Sequence, residues 1–392
     1  MKQEQQKSLE TTYLLGELEL PNRVVMASMT RARATNPGLI PTSLHAEYYA
    51  QRAGAGLILT EGVWVSRSAV GFLNIPGIFT REQTEGWKEV TSAVHKKGGR
   101  IFIQLSHSGS ASHPDYLGGL LPSGPSAINP QEKSYTPQGF KDTVTPKAYS
   151  VASIKDMIDE YRKAAMNAKA AGFDGIEIHA HLFTLIPQFL SIATNQRRDK
   201  YGGNIENRCR ILFEILDAVI GVLPGKRVGI KFSPTVFNAG IIKPDANTIP
   251  AFNYIFRELN QYDMAFVELV GPSLDIKGTV IAALQDNIYS HFRSMYKGTL
   301  IANLGFDWES GNEIIATGNA DLVSFGAPFI ANPDLVERFR NSWPLAVGDP
   351  NTYYTGGETG YIDYIPRQIG ECPGKITKGN FYNPLDLDLY GA

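Results

Sequence analysis

The sequence predicts an α/β protein whose single domain is a (β/α)8 barrel. Three observations lead to this prediction: eight short apolar runs recur along the chain, amphipathic stretches separate them, and no G-x-G-x-x-G motif follows any of the runs. Near-continuous apolar runs are typical of parallel strands buried on both faces. Alternation of such strands with helices favours a closed barrel, and the missing glycine motif disfavours an open, doubly wound sheet.

The predicted strands are short runs rich in β-branched and other apolar residues. They comprise residues 23–28, 56–62, 100–107, 172–180, 227–234, 264–270, 299–305 and 321–326. Polar residues concentrate where these runs end. Because buried polar atoms need hydrogen-bond partners, that concentration indicates a functional site.

Helical periodicity fills the intervals between the strands. Thr80 and Gln83 form a capping box that starts one helix, and Ser153 with Asp156 starts another, which Gly172 ends. The remaining helical stretches lie near residues 43–53, 204–222, 248–261, 284–296, 308–317 and 333–342. The count of eight helices matches the count of strands.

Two segments interrupt this alternation. Residues 108–149 form a long excursion rich in Pro, Gly and Ser after the third strand, and residues 346–392 form a C-terminal tail. Long connections in compact enzymes often act as lids or pocket walls. We therefore expect one domain over residues 1–392, with the barrel at about 12–345 and the tail packed near its mouth.

Composition restricts the possible partners. The chain has 392 residues, a formal net charge of −2 and two cysteines. This charge gives no electrostatic reason to expect a nucleic acid or an anionic membrane as partner, and two cysteines cannot form a disulfide framework. The polar N-terminus lacks the apolar core of a signal peptide. These features predict a cytoplasmic enzyme, monomeric or homodimeric, that acts on a small molecule.

In a barrel enzyme the reactive groups lie at the C-terminal ends of the strands. Lys231 stands within the apolar run VGIKFSP, where lysine is rarely buried without a partner. It would place a positive charge beside an electron-rich ring, or pair with Glu177 or Glu268 on nearby strands. Both interpretations are compatible with the sequence.

Two histidines follow the apolar run GIEI. His179 is a candidate hydrogen-bond donor to a carbonyl group, or a general acid. His181 lies two residues further on, but no third ligand at suitable spacing completes a metal site, so none is expected. Gln104 and Thr30 are candidates to bind a cofactor edge, and Tyr354 in the tail is a candidate lid residue.

Several blocks of sequence resemble those of old yellow enzymes and follow in the family's order. They include NRVVMASMTRARA, NIPGIF, IQLSHSG, AGFDGIEIH, YGGNIENRCR, ADLVSFGAPFIANPDLVERFRN and YYTGGETGYIDY. The resemblance extends from about residue 12 to residue 365. It implies an FMN-dependent oxidoreductase that uses NAD(P)H to reduce the C=C bond of an activated alkene.

The resemblance also implies site residues. Thr30 would tune the flavin carbonyl O4, Gln104 would bond the pyrimidine edge, Lys231 would stabilise negative charge near N1, and His179 would hold the substrate carbonyl. The full expected cofactor set is Met29, Thr30, Gly62, Gln104, His179, Lys231, Gly305 and Gly326. The expected catalytic residues are His179, Tyr354 and His181. The expected substrate pocket comprises Trp64, Ser106, Leu182, Phe183, Thr184 and Leu304.

This chain departs from the family pattern at several of these positions. Ser106 replaces an aromatic residue, Leu182 replaces the second carbonyl-binding residue, and Thr184 replaces the proton-donating tyrosine. Leu304 stands where a small residue is usual, and Ala327 stands where an arginine binds phosphate. Loss of that arginine removes a charge-assisted hydrogen bond worth about 1.5–3 kcal/mol, so we expect a weakened phosphate site for FMN.

These departures leave a second interpretation open. The chain would be a non-redox enzyme, such as an isomerase or cyclase, that has lost FMN and holds an organic substrate in the flavin pocket. A binding protein without chemistry is a third interpretation. The presence of His179 and Lys231 at strand ends argues against it, because such a protein would not need titratable groups there.

Overall fold

The computed structural model describes residues 7–235 and 240–367. A closed barrel of eight parallel strands forms its core. The strands are β1 (Val24–Met26), β2 (Leu57–Trp64), β3 (Ile101–Ser106), β4 (Gly175–Ala180), β5 (Val228–Phe232), β6 (Phe266–Val270), β7 (Leu300–Asn303) and β8 (Leu322–Phe325). Each strand pairs with the next, and β8 pairs with β1 to close the barrel. The predicted fold class is confirmed.

Helices surround the barrel. They are α1 (Ser43–Gln51), α2 (Arg81–Lys96), α3 (Val151–Ala170), α4 (Leu185–Leu190), α5 (Ile205–Ile220), α6 (Thr248–Glu258), α7 (Ile288–Arg293), α8 (Trp308–Ala316), α9 (Ala327–Ala331) and α10 (Leu335–Arg340). The expectation of one helix per strand was wrong, because β4 and β8 are each followed by two. Helices α4 and α9, which have six and five residues, were not predicted from the sequence.

Helix starts follow local capping chemistry. At the start of α2, the backbone N–H of Gln83 donates to Thr80 Oγ1 at 3.1 Å, as expected from the capping box. The predicted start of α3 at Ser153 was wrong by about one turn. Ser150 caps this helix instead, because its hydroxyl accepts from the N–H of Ser153 at 3.0 Å while the hydroxyl of Ser153 accepts from the N–H of Ser150 at 2.9 Å.

A β-hairpin covers the N-terminal end of the barrel. Near the N-termini of the strands, an antiparallel hairpin (Tyr13–Leu15 with Leu18–Leu20) inserts fully buried Leu15 and Leu20 among barrel residues such as Phe102. Apolar packing of this hairpin therefore closes the N-terminal end of the barrel.

The excursion after β3 contains a second hairpin, Lys133–Thr136 with Gly139–Asp142. The excursion reaches the opposite end through aromatic contacts. The ring of Phe72 lies 5.9 Å from that of Tyr135 in the excursion and 6.0 Å from that of Tyr354 in the tail. Phe72 therefore links the two irregular segments, although among the described residues only the tail, and not the excursion, lines the cavity at the C-terminal mouth.

Three buried arginines anchor part of the tail, which we call the C-terminal strap (residues 349–362). Arg31 and Arg52 are fully buried and Arg33 is nearly so. Arg31 and Arg33 donate to main-chain carbonyl oxygens of the strap, namely those of Thr352, Tyr353, Gly357, Thr359 and Gly360. The remainder of the predicted tail, residues 368–392, lies outside the described residues. Within the described ranges, none of the helices has the length and apolar character needed to cross a bilayer.

Candidate active site

A cavity of about 440 Å³ opens at the C-terminal ends of the strands. This volume lies within the range of roughly 300–1,000 Å³ that is usual for small-molecule sites. Most of the expected site residues line it: Met29, Thr30, Gly62, Gln104, His179, His181, Leu182, Lys231, Leu304, Gly305, Gly326 and Tyr354. The strand ends therefore bring together residues that are distant in sequence.

Four expected pocket residues are not among those that line the cavity. Trp64 and Ser106 are buried in the wall. Thr184 uses its hydroxyl to donate to the carbonyl oxygen of His181 at 2.8 Å. Phe183 is half-buried in the turn that precedes α4.

His179 stands near the end of β4 with its half-buried ring at the cavity. Its Nδ1 lies 2.9 Å from Ser106 Oγ on β3. Burial and then the charge of Lys231 lower its pKa to about 3, so the imidazole is neutral at physiological pH. Nε2 has no hydrogen-bond partner among the described residues, which leaves it available to a bound molecule.

His181 also reaches the cavity, with its ring centroid 5.9 Å from that of His179. Regular side-chain alternation stops because β4 ends at Ala180 and Leu182 adopts a φ of +56°. Burial and the charge of Lys231 hold the pKa of His181 well below its usual value. Its Nδ1 is buried without a partner in the described part of the chain. Two neutral imidazoles thus face one cavity.

A polar network lies beneath these rings. Lys231 Nζ lies 3.4 Å from Glu268 Oε1 and donates to Ser28 Oγ at 3.3 Å. Gln104 Nε2 donates to Ser28 Oγ at 2.8 Å and to Glu177 Oε2 at 2.6 Å. Of the two partners considered for Lys231, Glu268 is the one that forms the ion pair. Lys231 therefore combines a structural ion pair with a position in the cavity wall.

Glu177 shares this network but not its charge. Burial, then the negative charge of Glu268, raises the pKa of Glu177 well above its usual value. A carboxyl group that keeps its proton beside a carboxylate behaves as one half of a coupled pair. The ammonium group of Lys231 and two carboxyl groups therefore share one network beneath the cavity.

The opposite wall is formed by the loops after β7 and β8. Leu304 and Gly305 have φ values of +83° and +80°, and Leu304 occupies the left-handed region at a cost of about 1–3 kcal/mol. The N–H groups of Leu304, Gly305, Gly326 and Ala327 donate to no backbone acceptor in the ranges that the structure describes. Such main-chain groups suit an anion, because they donate without requiring a side chain.

Other lining residues escaped sequence reasoning. Phe306, Ile330 and Tyr353 border the cavity. Phe306 and Tyr353 are adjacent to expected residues, so their positions carried a usable signal. Ile330 belongs to α9, the short helix that periodicity did not reveal.

The sequence of this chain is similar to those of known proteins. A model of the NADH:flavin oxidoreductase / NADH oxidase family matches residues 13–345. The chain belongs to that family. It is 38% identical over 363 residues to 12-oxophytodienoate reductase 1 of Oryza sativa subsp. japonica, covering 91% of this chain and 92% of that relative.

Solved structures give the same result for this family member. Morphinone reductase is 39% identical with a TM-score of 0.88, covering 95% of this chain and 99% of that chain. The old yellow enzyme homologue from Zymomonas mobilis is 36% identical with a TM-score of 0.86, covering 91% and 99%. The resemblance to old yellow enzymes is confirmed, and these relatives give no support to the FMN-free alternative.

The residues present fit FMN. The cavity offers the ammonium group of Lys231 and, at its opposite wall, main-chain N–H groups that have no backbone acceptor among the described residues. Gly62 avoids crowding Gln104 and His179, since an added Cβ would lie 3.3 Å from Gln104 Oε1 and 3.6 Å from His179 Nδ1. A planar ring bearing an anionic tail matches this arrangement.

Proposed function

We propose that this family member is an FMN-dependent oxidoreductase that uses NAD(P)H to reduce the C=C bond of an alkene activated by a carbonyl group. One observation carries the proposal: a single cavity gathers neutral His179, the amide of Gln104, the cation of Lys231 and free main-chain N–H groups. As part of the same proposal, the enzyme is cytoplasmic and monomeric or homodimeric. The chain contains two cysteines, and so low a cysteine content supports a location in a reducing compartment.

FMN would be held at both ends of the cavity. Met29, Thr30, Gly62, Gln104 and Lys231 would hold the ring system. The main-chain N–H groups of Leu304, Gly305, Gly326 and Ala327 would hold the phosphate. Bound FMN would supply the hydride-transfer chemistry that connects NAD(P)H to the alkene. The fixed charge of Lys231 favours electron-rich groups at its end of the cavity.

His179 would bind the carbonyl oxygen of the alkene substrate. A neutral imidazole N–H donates a hydrogen bond that strengthens as negative charge develops on that oxygen. His181 would supply a second donor from the same wall, at the side where Leu182 offers no polar group. The two histidines act by polarising the carbonyl, because the N–H of a neutral imidazole is too weak an acid to release its proton at neutral pH.

Proton delivery to the α-carbon falls to Tyr354 in this proposal. The hydroxyl of Thr184 already donates to the carbonyl oxygen of His181. Tyr354 is half-buried and lines the cavity mouth, where its hydroxyl can exchange with solvent. Its proton would reach the α-carbon directly or through a water molecule, and solvent would restore it.

The test of this function is cofactor analysis combined with turnover. The purified protein should be yellow, release FMN on denaturation, and consume one NADH or NADPH for each molecule of a cyclic enone reduced. A protein that binds no FMN even in excess, and converts no enone, would refute the proposal. Parallel assays with NADH and NADPH determine which reductant is used.

The phosphate wall yields a separate expected result. Ala327→Arg should tighten FMN binding about 10- to 100-fold, because a guanidinium group adds charge-assisted hydrogen bonds worth about 1.5–3 kcal/mol. Ala327 is half-buried at the cavity, so a longer side chain can reach its contents. Flavin fluorescence titration of protein freed of FMN measures the effect. Ala327→Leu, which adds bulk without charge, should not tighten binding, and equal affinities for both variants would contradict this account.

A further inference from the structure

Ser106 is buried behind the cavity wall and touches the site through one atom. It lies at the end of β3, and β3 pairs with β4 in parallel, with Leu105 opposite Ile178. The next pair along this register brings Ser106 Oγ to 2.9 Å from His179 Nδ1. Ser106 is 3% exposed and does not line the cavity. Any influence it has on a bound molecule must therefore pass through the imidazole.

The imidazole of His179 carries a single hydrogen. It is packed against the barrel interior, and its neighbour in the β5 register is the cation Lys231. Both surroundings disfavour a second positive charge, so the pKa of His179 falls to about 3. A neutral imidazole has one N–H and one bare nitrogen, and the partner of one nitrogen decides which is which.

The surroundings of Ser106 determine the hydrogen's position. Within the described residues, His179 Nδ1 is the one hydrogen-bond partner of Ser106 Oγ. If Nδ1 carried the hydrogen, the serine O–H would be a buried donor without an acceptor among the described residues, which is unfavourable. If Nδ1 is bare, the serine O–H donates to it and the donor is satisfied. The second arrangement leaves the hydrogen on Nε2, which is the nitrogen free to meet a ligand.

We propose that Ser106 is a positioning residue that holds His179 as the Nε2–H tautomer, so that the imidazole donates to a carbonyl oxygen in the cavity. This inference rests on the proposed function for its substrate class. It assigns a task to the small hydroxyl residue that stands here in place of an aromatic side chain. It also makes His179 a donor rather than a base.

The experiment is NMR spectroscopy of the full-length protein with ¹⁵N-labelled histidine. Ring-nitrogen shifts distinguish a bare nitrogen from one that bears hydrogen, and His179→Asn assigns the signals. We expect a bare Nδ1 and a protonated Nε2 in the unmodified protein. We expect Ser106→Ala to move the His179 signals towards the other tautomer, and Ser106→Thr, which keeps the hydroxyl, to preserve them.

Kinetics supply the second readout. Ser106→Ala should lower kcat/KM for a cyclic enone about 3- to 10-fold, the equivalent of one hydrogen bond, while Ser106→Thr stays near the unmodified enzyme. A hydrogen on Nδ1 of the unmodified protein, or unchanged shifts in Ser106→Ala, overturns the inference. If the protein binds no FMN, the proposed function fails but the tautomer result stands. If it is an active flavoprotein with the hydrogen on Nδ1, this inference alone fails.

Discussion

Replacing His179 by alanine is expected to lower kcat/KM for a cyclic enone by about 100- to 1,000-fold, the usual loss when one preorganised donor to a developing oxyanion is removed. The imidazole stands at the cavity with Nε2 unpartnered among the described residues and Nδ1 held by Ser106 at 2.9 Å. Steady-state kinetics with an enone substrate measure the loss.

The control for this experiment is His179→Asn, whose amide keeps an N–H donor in a shorter side chain. It should recover part of the lost activity, and both variants should retain FMN as judged by absorbance. His181→Ala provides the comparison on the same wall. A loss below about 5-fold for His179→Ala would mean that the carbonyl is bound elsewhere, and the assigned role would then be wrong.

The buried histidines are expected to contribute less to the stability of this protein as pH falls below about 6.5. Burial lowers the pKa of His45 to about 4 and those of His107 and His179 to about 3, and it holds that of His181 well below its usual value. The folded state keeps these rings neutral, whereas the unfolded chain protonates them below about pH 6.5. The contribution of these histidines to stability is therefore full above that pH and falls as pH decreases, because the unfolded state then binds more protons at these rings.

Four carboxyl groups oppose this trend, because burial raises the pKa values of Glu132 and Glu160 as well as those of Glu61 and Glu177. Burial raises the pKa of Glu61 to about 7, and it raises that of Glu177 well above its usual value. These groups keep their protons in the folded state and lose them in the unfolded state above about pH 4.5, so they stabilise the fold increasingly as pH falls. Each proton is worth about 1.4 kcal/mol per pH unit. Because five histidines, with His291 included, act against four acids, the two effects largely cancel in the total stability. The contribution of one histidine is therefore measured by removing it.

The measurement is the free energy of unfolding, obtained from urea titrations between pH 7 and pH 4.5. His45→Gln offers a matched variant, because Gln at this third helical position keeps the capping box that Thr42 makes at the start of α1. Removing one titrating ring should reduce the pH slope by about 1.4 kcal/mol per unit. An unchanged slope in His45→Gln would show that His45 is protonated in the folded state.

The barrel was predictable because its strands carry their own signal. Apolar runs such as Val228–Phe232 are buried on both faces, so hydrophobicity alone locates them. The start of α3 was misplaced because serines at positions 150 and 153 present similar capping chemistry, and only the reciprocal bonds distinguish them. Short helices such as Ala327–Ala331 are set by the turn that precedes them and not by a periodic pattern.

The candidate site was predictable in outline for a related reason. Strand ends converge in a barrel, so residues such as Gln104 and Lys231 could be assigned to one mouth without coordinates. The position of His181 could not, because it depends on where β4 stops and on the left-handed turn at Leu182. The contact between Ser106 and His179 likewise depends on strand register, which one sequence does not reveal.

The arginine anchoring of the C-terminal strap has a consequence for where this protein can be cut. The family match ends at residue 345. Arg31 and Arg33, however, donate hydrogen bonds to main-chain carbonyl oxygens beyond that residue. Truncation at residue 345 would leave the buried guanidinium groups of Arg31 and Arg33 without these hydrogen-bond acceptors. It would also remove Tyr354 from the cavity mouth. We therefore propose that the smallest autonomous unit extends through the strap, and that shortened versions designed from the family boundary will be insoluble or degraded.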